Sequence, residues 1–269
     1  MLFLMFTKDI GKCLNNNNFA LYADDTSIFI ESSTISDLYA QGNLAVSSSY
    51  NSFIENGLTV NVDKTLYVIF SRKQKKLPAH SERLTLGSMN FTKVHEAKVL
   101  GVVLDEHLSW NEHICNFSKK IAKYAPIMYE ARHYCTHMTL KLLYNCLIYS
   151  NLIYCNSVWG HCTKYALLPL NVVHKRIIRA MAGLGFNAHT REHFNSYSLL
   201  TMENVNVYIV GLFVYKCINS VDFGAWFMQR LSVYPTRLDE SMPLCVPRII
   251  NKHSEQCICV QRGCCLEQH

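Results

Sequence analysis

The spacing of apolar residues separates a first part of the chain with strand-like patterns from a second part with helical periodicity. Short apolar and β-branched runs predict strands at residues 19–22, 26–30, 66–70 and 98–104. The first two runs flank residues 23–25, a turn-like Ala-Asp-Asp sequence, and this arrangement predicts a β-hairpin.

Helical periodicity begins at residues 36–56, where Ser and Thr precede the segment and Gly57 follows it. From Glu112 onward the pattern is helical almost throughout. Further helices are predicted at residues 112–133, 137–150, 166–182 and 199–219. Strands followed by helices predict an α+β chain with a boundary near residue 110. His113 and His174 are expected on helix surfaces.

The composition is that of a folded protein. Hydrophobic residues make up 49% of the 269 residues and charged residues 17%, which argues against disorder. No apolar run approaches the roughly 20 residues that span a bilayer. The apolar N-terminal run is followed at once by Lys8 and Asp9, which argues against a secretory leader. We therefore expect an intracellular protein, nuclear or cytoplasmic, that is not secreted and has no membrane partner. Its 12 cysteines are expected to be reduced thiols.

Positive charge is concentrated in the middle of the chain. Residues 113–191 contain ten basic side chains and one acidic side chain, Glu130, although the net charge of the whole chain is only +6. Tyrosines recur through the same stretch. Lysine and arginine neutralise phosphates and aromatic rings stack on bases, so the pattern indicates nucleic-acid binding. The alternative is a solvated basic face whose tyrosines pack in a helical core.

The carboxylate pair Asp24-Asp25 is the sharpest chemical feature of the sequence. It interrupts an otherwise apolar hairpin, so its charges must face either water at a cleft or a cation. Mg²⁺ is bound through one or two carboxylates together with substrate phosphates, and paired ions support in-line phosphoryl transfer. A solvated turn is the alternative explanation of the pair.

Residues 21–26 resemble the Tyr-Ala-Asp-Asp-Thr catalytic hairpin of reverse transcriptases from non-LTR retrotransposons, especially jockey-like elements. Further segments resemble motifs of the same family in the same order, at residues 2–10, 57–65, 99–114 and 154–179. The resemblance covers about residues 2–220 and fades beyond them.

The resemblance implies a fold and a division of the chain. Residues 1–110 would form a partial polymerase palm, an antiparallel sheet that carries the acidic hairpin together with a helix. Residues 111–191 would form an all-α, basic thumb. Residues 192–269 would form a helical post-thumb region with a poorly defined Cys-rich tail.

The resemblance also implies an RNA-directed DNA polymerase with an assigned site. Asp24 and Asp25 would be catalytic ligands of Mg²⁺, with Mn²⁺ as the alternative ion, and Lys64 a catalytic cation near the incoming triphosphate. Leu100 and Gly101 would form the primer grip. The partners would be an RNA template, a DNA primer and deoxynucleoside triphosphates. The residues expected to grip nucleic-acid phosphates are Lys119, Lys120, Lys123, Lys175, Arg176 and Arg179.

The sequence departs from the family upstream of the hairpin, where members carry a third metal-ligating aspartate. Only Asp9 precedes Asp24, and it matches a segment that binds no metal. We therefore expect a polymerase truncated at its N-terminus, with little activity alone and an exposed edge on its hairpin. The alternatives are a non-catalytic nucleic-acid-binding fragment and a helical interaction protein with a basic face. No oligomeric state is predicted.

Two weaker motifs remain. The tail contains His253, Cys257, Cys259, Cys264, Cys265 and His269, but the cysteine spacing differs from that of zinc ribbons, so free thiols are expected rather than a zinc site. Residues 72–76 are basic and fit a nuclear localisation signal, although such runs are more often solvated loops.

Overall fold

The structure is a computed structural model that describes residues 18–23, 25–71, 83–87, 89–219 and 256–265. The chain divides into two compact units, the first made of Met1–Ser109 together with Asn251–His269 and the second of Trp110–Ile250. The first unit mixes strands with one long helix, and the described part of the second is helical. The predicted α+β class is therefore confirmed.

The first unit contains ten described strands and helix α1 (Ile35–Glu55). The strands are β1 (Asn18–Tyr22), β2 (Asp25–Ser32), β3 (Thr59–Val60), β4 (Leu66–Phe70), β5 (Thr85–Leu86), β6 (Met89–Asn90), β7 (Thr92–Lys93), β8 (Glu96–Val99), β9 (Val102–Asp105) and β10 (Gln256–Cys265). Strands β5 and β6 form one antiparallel pair, and β8 and β9 form another. The remaining strands form the main sheet.

The main sheet has the strand order β1-β2-β10-β4-β7, with β3 paired to the end of β10. All its pairs are antiparallel except β4 with β7. Strand β10 is central, since Ile258 is opposite Ile30 on one side and Ile69 on the other. The pattern of the sequence had not predicted a strand in this tail. Within the described residues β1 lies at the edge of the sheet, whereas β10 covers the second side of β2.

Helix α1 covers one face of the sheet and closes the core of this unit. It begins after Thr34, whose hydroxyl accepts a hydrogen bond from the backbone N–H of Asp37 at 3.2 Å. It ends before Gly57, which has φ 71° and so adopts the left-handed conformation that glycine tolerates. Its fully buried Leu38 and Phe53 belong to the same core cluster as Ile28 of β2. The predicted helix at 36–56 is confirmed.

The predicted single strand at 98–104 is wrong, because the chain reverses within it. Leu100 and Gly101 have φ of 47° and 85°, so both adopt left-handed conformations. Two consecutive residues of this kind form the tight turn that joins β-hairpin strands. Strands β8 and β9 are therefore the two arms of a hairpin, with Val99 opposite Val102.

The second unit contains eight described α-helices. They are α2 (Asn111–Ala122), α3 (Tyr124–Ala131), α4 (His137–Tyr144), α5 (Ser150–Ile153), α6 (Asn156–Trp159), α7 (Lys164–Ala182), α8 (Arg191–Ser196) and α9 (Met202–Asn219). A π-helical turn, Asn145–Tyr149, joins α4 to α5. Helix α7 packs against both α2 and α3. It ends at Ala182, as the predicted helix at 166–182 does, and Gly183 follows with φ 68°.

The predicted continuous helix at 112–133 is wrong, because it breaks at Lys123 between α2 and α3. Pro126 supplies the reason. Proline has no backbone N–H, and its ring collides with the carbonyl of the residue four positions earlier, here Ala122. Helix α2 therefore ends at Ala122, and Pro126 lies in the first turn of α3, where the missing N–H costs little.

His113 and His174 are buried, so their predicted surface position is wrong. His113 lies against Phe117 and Trp159, with ring centroids 5.9 and 5.7 Å away. Burial lowers the pKa of His113 and lowers that of His174 to about 4. Both rings contribute to helix packing as neutral aromatic groups.

Candidate catalytic hairpin and nucleic-acid interface

The acidic hairpin forms as the sequence predicted. Tyr22 at the end of β1 is the Cα partner of Asp25 at the start of β2, so two residues form the turn. One of them, Ala23, has φ 50°. Asp24, the other, lies outside the described residues. Asp25 is half-buried and, within the described part of the chain, has no ion-pair partner. An oxygen ligand of this kind fits Mg²⁺.

Asp25 lies on the face of the sheet away from α1. Successive side chains of a strand point to opposite faces. Ile28 and Ile30 of β2 pack in the core cluster that contains α1. Asp25 differs from them by an odd number of positions, so its carboxylate projects from the other face, together with the half-buried Phe29.

The sheet register brings the loop that carries Lys64 to the end of the sheet where Asp25 lies. Gln261 of β10 is opposite Leu66, which follows Lys64 by two residues. Two residues further along β10, Gly263 is opposite Asp25. With β10 between them, Asp25 and the start of β4 are two strand spacings apart across the sheet, roughly 10 Å, and two residues apart along it. Lys64 is exposed, and its backbone N–H donates to the Asn61 side chain at 3.1 Å.

Leu100 and Gly101 form the tip of the β8–β9 hairpin and are both exposed. The base of this hairpin is tied by the backbone N–H of Glu106, which donates to the carbonyl of His95 at 2.9 Å. The Glu106 carboxylate also lies 3.1 Å from the His95 ring. Among the described strands this hairpin is a sheet of its own, so none of their ladders links the tip to Asp25.

Helices α2 and α7 carry the six basic residues that the sequence assigned to phosphate contacts. Lys119, Lys120 and Lys123 lie at the end of α2 or just after it, and all are exposed. The buried positions of α2 include Ile114 and Ile121, which lie on its opposite side. The packing of α2 against α7 therefore leaves these cations on the solvent side.

On α7, Lys175 and Arg176 are exposed, whereas Arg179 is half-buried. Two of the six basic residues already have partners in the fold. The Lys120 ammonium donates to the Asn151 side chain at 2.8 Å. The Arg179 Nε–H donates to the Ala188 carbonyl at 2.9 Å. Arg179 therefore helps to hold the segment that follows α7.

Exposed apolar side chains on α7 were missed in the sequence analysis. Tyr165 is 84% exposed, Leu168 51% and Val172 62%. Their spacing of three and four residues places them on one side of the helix, next to Lys175 and Arg176. The same spacing is visible in the sequence and could have identified this face. Exposed apolar surface beside cations is typical of a binding surface.

The aromatic residues of the basic stretch differ in whether they reach the surface, where a base could stack on them. Trp159 is 1% exposed and Tyr144 is fully buried, so both belong to the helical core. In contrast, Tyr134 is 87% exposed and Tyr165 is 84% exposed. Among the described residues, Tyr144 therefore packs in a helical core, whereas Tyr134 and Tyr165 lie on the surface, where a base could stack on them.

The described residues contain neither a cluster of metal-binding side chains nor a membrane-spanning helix. Among those residues no group of three or more His, Cys, Asp or Glu side chains is arranged to hold a metal ion. Their helices also include none with the length and apolar character needed to cross a bilayer. The tail histidines and residues 72–76 lie outside the described part of the chain, and of the tail cysteines only the backbone of β10 is described.

Comparison with known proteins gives a distant match to a polymerase. No family model and no solved structure matches the chain. Over 181 residues it is 24% identical to "RNA-directed DNA polymerase from mobile element jockey" of Drosophila funebris. The sequence is related to a retrotransposon reverse transcriptase. The match covers 64% of the chain and 19% of the relative, so the chain spans about a fifth of that protein's length. This relationship agrees with the resemblance that the motifs indicated.

Proposed function

We propose that the chain contributes the metal-binding hairpin and the duplex-gripping helices of an RNA-directed DNA polymerase. The observation that carries the proposal is the hairpin, in which Asp25 opens β2 directly after a two-residue turn. It occurs in a sequence related to a polymerase of that activity. In this proposal the first unit is a palm and the helical unit is a thumb.

The reaction is attack of a primer 3′-hydroxyl oxygen on the α-phosphorus of a deoxynucleoside triphosphate, with pyrophosphate as the leaving group. Asp24 and Asp25 would hold Mg²⁺, or alternatively Mn²⁺. The bound ion would neutralise charge that develops on the transferring phosphoryl group. Lys64, at the same end of the sheet as Asp25, would bind the triphosphate oxygens.

The template RNA and the DNA primer would be bound away from the reacting phosphate. The exposed cations of α2 and α7 would contact duplex phosphates, which requires no particular base sequence. The Leu100-Gly101 turn would orient the primer 3′ end. As a polymerase of a mobile element, the protein would work inside the cell, in the nucleus or the cytoplasm.

A chimera tests this proposal. The 181-residue matching stretch of the jockey polymerase is replaced by the corresponding residues of this chain, and DNA synthesis is measured on a primed RNA template. We expect the chimera to extend the primer. Asp25→Asn should lower the rate at least about 100-fold, because a lost metal ligand removes several kcal/mol of transition-state stabilisation.

Glu31→Gln is the matched control for that experiment. Glu31 lies on the same strand and is exposed, but it is at the other end of β2 from the turn. Its neutralisation should leave primer extension nearly unchanged. A chimera that folds and binds template–primer but extends no primer would contradict the proposal, as would equal losses in the Asp25 and Glu31 variants.

Nucleic-acid binding without catalysis is the second candidate function. The exposed cations of α2 and α7 favour it, because they do not depend on the acidic hairpin. A helical interaction protein with an acidic partner would use the same basic face. In the first alternative the basic face binds nucleic acid, and in the second it binds an acidic protein.

A further inference from the structure

Strand β1 leaves one edge of the main sheet open within the described residues. It pairs with β2 on one side, and none of the described strands pairs with its other side. Helix α1 packs chiefly over β2 and β10, on the inner side of β1. An open edge carries backbone N–H and C=O groups that can pair with a further strand, and proteins often protect it with a charged residue or a proline. Strand β1, Asn18–Tyr22, contains neither.

The two-residue turn fixes which backbone groups of β1 face the open edge. Because only two residues separate Tyr22 from Asp25, these two residues exchange both backbone hydrogen bonds of their pair. Along an antiparallel pair, such residues alternate with residues whose N–H and C=O groups point away from the partner strand. Phe19 and Leu21 are therefore the residues of β1 that present their backbone groups to the open edge.

The positions of these two residues allow a second copy of β1 to pair with both. When two β1 strands are antiparallel and centred on Ala20, Phe19 of each copy is opposite Leu21 of the other. Each such pair exchanges both of its backbone hydrogen bonds across the contact. Within the strand Asn18–Tyr22, no other register pairs both outward-facing residues. The contact has two-fold symmetry, which is the commonest symmetry of protein dimers.

The side chains of β1 also suit this pairing. Leu21 packs against the core cluster on the α1 side of the sheet. Phe19 lies two positions away and therefore on the same side, where it is 39% exposed at the outer end of the apolar layer. Opposite the partner's Leu21, Phe19 would form an apolar cross-strand pair. The core layer of one copy would then continue into the other.

Charge favours the antiparallel arrangement over a parallel one. Asp24 and Asp25 directly follow the end of β1 in the sequence. Parallel pairing would bring the acidic turns of two copies together, and like charges on neighbouring strands repel. Antiparallel pairing places these turns at opposite ends of the joined strands.

We infer that two copies of this chain pair through the open edge of β1, antiparallel and centred on Ala20, to form one continuous sheet. The contact uses the backbone of β1 and the apolar side chains of Phe19 and Leu21. It uses no acidic side chain, so the inference does not rest on the proposed polymerase activity.

Sedimentation equilibrium of the full chain, freed of nucleic acid by nuclease treatment, tests the inference. We expect a reversible monomer–dimer equilibrium. Phe19→Pro should raise the dimer dissociation constant about tenfold or more, because each copy loses an N–H donor of the contact. The hairpin should tolerate this proline, since the Phe19 N–H points away from β2. Phe19→Val is the matched control: it keeps the N–H and an apolar, β-branched side chain, so its dissociation constant should change far less.

Disulfide formation tests the register and does not depend on the proline variant. Ala20 is exposed. In Ala20→Cys the two new thiols would face each other across the two-fold axis, with Cα atoms about 4.5 Å apart, which is within disulfide range. Oxidised glutathione should therefore join the copies through position 20, as read by mass spectrometry of the unreduced peptides. Tyr22→Cys is the control, because its Cα atoms would be roughly 14 Å apart, too far for a bond.

The outcomes that would overturn the inference are distinct. One is a chain that stays monomeric at every concentration once nucleic acid is removed. Another is an equal dissociation constant in Phe19→Pro and Phe19→Val, which would show that the β1 backbone takes no part in the dimer. A third is a disulfide through position 22 without one through position 20, which would contradict the register.

Discussion

At the scale of single residues, His174 shows how the helical unit uses a polar side chain in its core. Its ring is 2% exposed and shares a hydrogen bond of 2.7 Å with the Tyr144 hydroxyl. Phe194 of α8 packs edge-on against the same ring, with centroids 5.0 Å apart. His174 therefore links α4, α7 and α8. Burial also raises the pKa of Tyr144, so both partners stay neutral over the ordinary pH range.

This burial makes the stability of the protein depend on pH. Burial lowers the pKa of His174 to about 4 in the folded chain, from an ordinary value of 6.5. The unfolded chain therefore takes up a proton first as the pH falls. The free energy of unfolding should be highest above pH 6.5 and should decrease toward pH 4, by roughly 3 kcal/mol from this residue.

Urea denaturation at several pH values between 7 and about 4 measures this effect. In His174→Gln the decrease should be smaller by the contribution of His174, whereas His189→Gln, at an exposed position, should keep the original pH dependence. A His174→Gln chain with an unchanged pH dependence would show that this histidine is not the group that titrates.

At the scale of elements, local chemistry predicted most of the fold correctly. The hairpin at Asp25, helix α1 and the end of α7 at Gly183 follow from turn residues and caps that lie within a few positions of each element. The errors also have local causes. Pro126 breaks a periodic helix, and the turn at Leu100-Gly101 divides a run that is apolar throughout.

Strand β10 could not be predicted in the same way. Its sequence is rich in cysteine and contains Gly263, and its partners are more than 180 residues away in β2 and β4. Such pairing depends on which strands leave an edge open, and periodicity along one segment does not contain that information. The geometry of the candidate site could not be predicted either. Strand β10 lies between β2 and β4, and its pairing with both places Asp25 and the Lys64 loop at one end of the sheet.

The central place of β10 leads to a prediction about stability. Val260 is opposite Ile28 on one side and Tyr67 on the other. Val260→Pro removes a backbone N–H from the ladder and leaves a buried acceptor without a partner, which costs about 1–3 kcal/mol. Val260→Ile keeps the N–H and an apolar, β-branched side chain, so it serves as the control.

Thermal unfolding followed by circular dichroism compares these two variants with the unaltered chain. A lower melting temperature in the proline variant alone is the expected result. Equal melting temperatures in all three proteins would mean that β10 contributes nothing to the main sheet in solution.

At the scale of the whole molecule, the excess of basic over acidic side chains lies in one of the two units. The division between Ser109 and Trp110 lies next to the start of the basic stretch at residue 113. The acidic hairpin and the most basic stretch therefore belong to different compact units. Binding to a polyanion should accordingly depend on the helical unit and be insensitive to the hairpin.

Salt dependence of binding decides what the basic face contacts. For an RNA–DNA duplex, the logarithm of the binding constant should fall linearly with the logarithm of salt concentration, because each neutralised phosphate releases condensed counterions. Lys119→Gln and Lys175→Gln should each reduce that slope by about one and weaken binding to all sequences alike. Asp25→Asn should leave the slope unchanged, and so should Lys98→Gln, which removes the same charge from the first unit.

A polyglutamate of equal charge tests the alternative partner. If the polyglutamate binds as tightly as the duplex, the basic face recognises acidic proteins and the nucleic-acid proposal is wrong.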